Sequence, residues 1–168
     1  MKFKILLFLL ISNFVGAQKT TIEAFLEKWD NSKNYLLEVA NAMPEELYDY
    51  KPTEREMSFG EQLIHIKGNM DWLSTAYFTD TEYEKVKDEN HYSKAETIDL
   101  LQKSFDAVYE IIKKSEPKLL DSKVDFFAGP KTKLQILNLL QDHVTHHRGQ
   151  LLVYLNLNNI QPPAYVGW

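Results

Sequence analysis

TKLQILNLLQDHVTHHRGQLLVYL, residues 132–155, repeats its apolar positions with the period of an α-helix. Ile136, Leu139, Leu140, Val144 and Leu151 are expected to line its inner side. Thr132 stands as N-cap with Gln135 three residues on, so the helix should run from 132 to about 155. Three histidines fall within it, in Asp142-His143-Val144-Thr145-His146-His147-Arg148-Gly149-Gln150. At about 100° per residue His143 and His147 stand one turn and about 40° apart and can share one ion. His146 points about 60° to the other side and reads as a flank. By the same rotation Ile136, Leu139, Leu140, Gln150 and Tyr154 all fall within about 60° of His143, which puts the pair in the middle of the inward stripe. Buried imidazoles need partners for a ring N–H and a lone pair. A metal ion would supply them, and so would local polar groups; the pair alone leaves both open.

Three more helices precede this one. Phe25, Trp29, Leu36, Val39 and Met43 share a face from Thr21 until Pro44 stops the pattern, with Glu27, Asn34 and Glu38 opposite. Ser58-Phe59-Gly60-Glu61 is a capping box, in which each side chain satisfies the other residue's backbone N–H. It opens a helix to about Phe78 with Leu63, Ile66, Met70, Leu73 and Tyr77 as its stripe. Ser93-Lys94-Ala95-Glu96 repeats the box ahead of Ile98, Leu101, Phe105, Val108 and Ile112, and that helix ends near Pro117. Residues 120–130 read as a returning loop. Four amphipathic helices, with no period-2 segment long enough for a sheet, give an all-α four-helix bundle. The first two inter-helix linkers, about 14 residues each, exceed the two to eight usual in bundles. At least one is therefore expected to do more than connect, such as covering a pocket mouth.

Ahead of the bundle, Lys2 and Lys4 lead into Ile5-Leu6-Leu7-Phe8-Leu9-Leu10-Ile11, and Val15-Gly16-Ala17 closes the segment with small residues. That is a signal peptide, residues 1–17, too short for the roughly 20 apolar residues of a membrane span. Export to the periplasm or the extracellular space is expected, with one domain at 18–168 and no stable membrane span after cleavage. The chain of 168 residues has 19 Lys plus Arg against 24 Asp plus Glu. Losing two lysines with the leader leaves a net charge of −7, the wrong sign for nucleic acid. Without a single Cys there are no disulfides, and any metal site must use His and carboxylates.

His65 on the second helix is the candidate third ligand, although it lies about 120° from the centre of that helix's apolar stripe. Trp72, about 20° from it around the helix, hints at a second, partly buried face. His91 sits in a polar connection and reads as solvated. Glu61, one turn from His65, is the nearest candidate for handling protons; completing the capping box is the competing role. Gln150 and Tyr154 share the His143 face and could orient a ligand, or in the case of Tyr154 simply fill core. Val144 stands where a zinc protease would carry its general-base Glu, so that peptidase chemistry is not expected.

Ser58-Phe59-Gly60-Glu61-Gln62-Leu63-Ile64-His65, the string Asp142 to Gln150, Tyr50-Lys51-Pro52-Thr53 and Pro162-Pro163-Ala164-Tyr165 together resemble the DinB-like (DinB/YfiT) superfamily of four-helix bundles. The resemblance implies one divalent metal ion, zinc or nickel first and manganese or iron next, held by His65, His143 and His147. Three imidazoles would leave such an ion a position for water or a thiolate, so hydrolase or transferase chemistry on a small-molecule substrate is expected, and the resemblance implies transferases and isomerases that use low-molecular-weight thiols. Relatives that use low-molecular-weight thiols work on molecules kept reduced inside cells, which an exported chain would not meet. The alternative is a non-catalytic metal-binding or stress-associated bundle, and a helical interaction module without metal is a third. A homodimer is compatible with this type of bundle, and no exposed stripe demands it.

Overall fold

Four helices, α1 (Thr21–Ala42), α2 (Phe59–Phe78), α3 (Lys94–Lys113) and α4 (Lys133–Leu157), make up most of the computed structural model, which describes residues 20–84 and 90–168. The expected leader lies outside the described residues. Each helix begins with a capping box: Thr20 with Glu23, Ser58 with Glu61, Ser93 with Glu96, and Thr132 with Gln135. Such a cap satisfies backbone N–H groups that would otherwise lack partners and is worth about 1 kcal/mol. These boxes place the helix starts where the sequence predicts them. Among the described residues no helix is long and apolar enough to cross a membrane.

Side-chain pairs fix the direction of each helix. Trp29 Nε1 donates to Phe105 O in the first half of α1, and Lys94 Nζ, at the start of α3, reaches Met43 O at the end of α1, so α1 and α3 are antiparallel. Gln62 meets Tyr154, and the Lys133 ammonium lies over Phe78, so α2 and α4 are antiparallel too. Gln141 binds Ser32, and the Arg148 guanidinium sits over Tyr35, which makes α4 parallel to α1. The order is up-down-down-up. It explains the long second linker: residues 79–93 must return along an α2 about 30 Å long, farther than an eight-residue loop reaches even fully extended.

The interior is a single apolar cluster in which Trp29, Phe59, Leu63, Ile66, Met70, Leu73, Phe105 and Leu140 are fully buried. Two expectations need correction. Leu139 is 36% exposed, whereas Leu137 at 2% belongs to the core. The buried residues Leu140, Val144 and Leu151 lie at about +60°, +100° and +80° from His143, so the stripe is centred well to one side of the histidine pair. Residues 120–130 are also not simply a loop. A 3-10 turn, Pro117–Asp121, leads into a hairpin of β1 (Lys123–Val124) and β2 (Lys131–Thr132), with Lys123 opposite Thr132. Gly129 takes φ +86° in the connecting turn, a conformation that favours glycine. Strands of two residues are too short to show a period in sequence.

Trp29 combines complete burial with a hydrogen bond to Phe105 O and stacking on Phe25. Trp29→Ala is expected to cost about 3–5 kcal/mol in urea unfolding. Asn34→Ala, on the exposed side of the same helix, should stay within about 0.5 kcal/mol.

Candidate metal centre

Because the stripe of α4 is centred away from the histidines, His143 sits at its edge, half-buried, while His147 is 7% exposed. On α2, His65 occupies the corresponding edge and is exposed. Antiparallel packing turns these two edges towards each other. The offset of His65 from its own stripe, which leaves its partner undetermined in sequence, is what aims it across the α2–α4 seam.

The three rings lie with centroids 4.9 Å (His65–His143), 4.6 Å (His65–His147) and 4.4 Å (His143–His147) apart. Their nearest ring nitrogens all fall within 4.8 Å of one another, the one such set of His, Asp or Glu donors among the described residues. His143 Nε2 and His65 Nε2 are 3.1 Å apart. Two nitrogens at 2.0–2.1 Å from one tetrahedral ion stand about 3.3 Å apart, so the widest spacing here needs a side-chain adjustment of at most about 1.5 Å.

His147 is oriented by neighbours. Its Nδ1 faces Gln62 Oε1 at 2.5 Å and Gln150 Oε1 at 3.0 Å. Both are carbonyl oxygens, so Nδ1 carries the proton and Nε2 is left with the lone pair. Gln62 in turn directs its amide nitrogen at the Tyr154 hydroxyl, 3.4 Å away, and Tyr154 donates to Met57 O at 2.9 Å. Gln150 thus orients a candidate ligand, as its position on the helix suggests, and Tyr154 is both core and part of that support. Gln62 was not legible as a site residue: it is 1% exposed, and apolar periodicity says nothing about which buried amide faces a ring. Its one signal is its place on α2, one turn before His65.

His143 Nδ1 is buried without a hydrogen-bond partner, so the protein alone does not satisfy this ring. Burial, then the neighbouring imidazoles, pushes His143 down to about 3. Burial and His65 push His147 down to about 4, against a partial opposing effect of the Gln150 hydrogen bond. Both rings are therefore neutral at pH 7, the protonation state a metal requires. The donor set and its spacing fit a divalent cation.

The remaining candidates fall around this core. His146 is exposed, 3.4 Å from Gln150 Nε2, and flanks the site as expected. His91 is exposed and lies across an open cleft of about 1190 Å³ that also contains His65 on its wall. Both long linkers, through residues such as Arg55 and Tyr92, wall this cleft, in keeping with their length. Glu61 lines it too, but its Oε2 accepts the Ser58 N–H at 2.6 Å and Lys51 Nζ at 2.9 Å. The Ser58 backbone N–H and then Lys51 hold this carboxyl below its usual range. These contacts give Glu61 the capping role.

The DinB family profile matches residues 17–166. The chain belongs to the DinB family. This DinB-family chain is 26% identical over 139 residues to the protein YjoA of Bacillus subtilis (strain 168), covering 79% of its own length and 88% of YjoA. The crystal structure of the DinB-like protein YjoA superposes with a TM-score of 0.68 at 21% identity, covering 84% of this chain and 96% of that one. A DinB-like protein from Bacillus cereus ATCC 10987 superposes with a TM-score of 0.74 at 22% identity, covering 89% and 100%. At these identities the structural likeness establishes the shared all-α bundle. The three-histidine group is compatible with metal binding in such a bundle.

In metal-free protein the lowered histidines make stability depend on pH. The unfolded chain takes up protons near 6.5 and the folded chain only towards 3 to 4, so stability is full above about 6.5 and is lost as pH falls through that window. Urea midpoints of chelator-treated protein between pH 7.5 and pH 4.5 should therefore decline, and decline less steeply in His143→Gln.

Proposed function

We propose that the protein is an exported, metal-dependent enzyme, a hydrolase or transferase, that holds one divalent cation on His65, His143 and His147. The observation that carries this reading is the convergence of three imidazoles from two helices, one of which, His65, lines a large cleft. The donors are all nitrogen, with no thiolate or carboxylate, which suits zinc or nickel, and iron, better than manganese. When bound, such an ion supplies Lewis-acid polarisation of a substrate atom at a coordination position the protein leaves free.

The chain's own residues do the positioning. Gln62 and Gln150 keep the proton of His147 at Nδ1, and Tyr154 keeps Gln62 in place. Hydrolysis ranks ahead of thiol transfer, since the leader directs the chain away from the compartment where small thiols are kept reduced. A non-catalytic metal-binding bundle is the second reading. What favours it is Glu61, whose carboxylate is engaged by the Ser58 N–H and Lys51 as a cap beside the cluster.

Protein purified without chelators is expected to carry about one zinc or nickel per chain. His65→Ala and His143→Ala should each lose most of it. Saturating metal should stabilise the wild type by about 2.7 kcal/mol at a hundredfold excess over Kd, and the variants by far less. Ester, amide and thiol-conjugation substrates then separate the readings: chelator-sensitive turnover supports the enzyme, and stoichiometric metal without turnover supports the non-catalytic bundle. Mass spectrometry of the exported protein should find Gln18 at the N-terminus; an intact Met1 would contradict export by cleavage.

A further inference from the structure

The outward side of α2 forms the floor of the cleft through Glu61, Ile64, His65, Gly68, Asn69 and Trp72, the spacing of one helix face. Gly68 stands in the middle of this floor. Glycine is a poor residue for a helix interior, and it is usually required there by a close approach or a left-handed backbone. Neither applies: a Cβ built at Gly68 meets nothing within 4 Å, and among the described residues the one glycine with positive φ is Gly129. What the missing side chain provides is open space between His65 and Trp72, which lie seven residues, or about 10 Å, apart along the helix.

The far end of that space is aromatic and held in position. Trp72 borders the cleft, and Phe126 and Phe127 from the β1–β2 hairpin stack on it with centroids 5.9 and 6.3 Å away. Phe127 is 84% exposed, so its ring gains little burial of its own and acts chiefly as a buttress for Trp72. We infer that the trough from His65 over Gly68 to Trp72 is a ligand subsite for a flat aromatic body, about 10 Å long, joined to an oxygen-donor head that reaches the histidine group. This rests on the metal reading above and specifies its substrate class as aryl esters or amides.

The test compares acetohydroxamate, which is a metal-binding head alone, with 2-naphthohydroxamate, which adds the aromatic body, by titration calorimetry on zinc-loaded protein. The wild type should prefer the naphthyl compound by about tenfold or more. Gly68→Leu, which improves helix propensity and fills the trough, should reduce that preference to about twofold while leaving metal content and acetohydroxamate binding unchanged. Phe127→Ala, at an exposed position, should weaken the naphthyl compound alone by about threefold. Equal affinity of the two compounds in the wild type, or an undiminished preference in folded Gly68→Leu, would overturn the subsite and leave the metal reading standing. Failure of both compounds to bind zinc-loaded protein would overturn the subsite together with the free coordination position.

Discussion

Antiparallel packing of α2 against α4 brings together the edges of two apolar stripes, and the histidine group exists because of that offset. Residues at the centre of each stripe, such as Ile66 and Leu140, are sealed in the core. Those one step round the helix, His65 and His143, are close enough to share a ligand and open enough for one to reach them. A histidine trio at the stripe centres would be buried with no route for a substrate. Polar groups at the inner edge complete the arrangement, since Gln62, itself bonded to Tyr154, accepts from buried His147 the hydrogen bond that an apolar surrounding would deny it.

The up-down-down-up order has a second consequence. Because α2 and α3 run in the same direction, the connection between them has to span the length of the bundle, and its described ends lie beside the outward side of α2. Tyr83 and Tyr92 from this connection face the same cleft as Met57 and Ser58 from the first linker. The linkers that make the topology possible thereby also enclose the space beside His65. The C-terminal tail serves the opposite seam, where Lys28 bonds Gly167 O and Tyr165 meets Tyr35 edge-on.

Helix number, helix starts and the all-α class were legible because they rest on local rules: three boxes with Ser or Thr followed by Glu or Gln, and apolar residues at helical spacing. The box at Thr20 and Glu23 follows the same rule one residue ahead of the expected start. The pairing of His143 with His147 was equally local. What periodicity could not supply was the exact centre of the α4 stripe, because Leu137 and Leu139 look alike in sequence and only the position of α1 and α2 buries one and exposes the other. The contribution of Gln62 was hidden for a related reason, since a buried amide is recognisable only once the ring it serves is in place. Glu61 shows the reverse case, in which a sequence-local role, the cap, accounts for the contacts the carboxylate makes.

X-ray absorption at the metal edge of zinc- or nickel-loaded protein addresses the shared ion most directly. Three imidazole nitrogens at about 2.0–2.1 Å are expected, with the imidazole signature reduced by one ring in His65→Ala. A shell dominated by oxygen, or a spectrum unchanged by removing His65, would mean that the two helix edges do not close on a common ion.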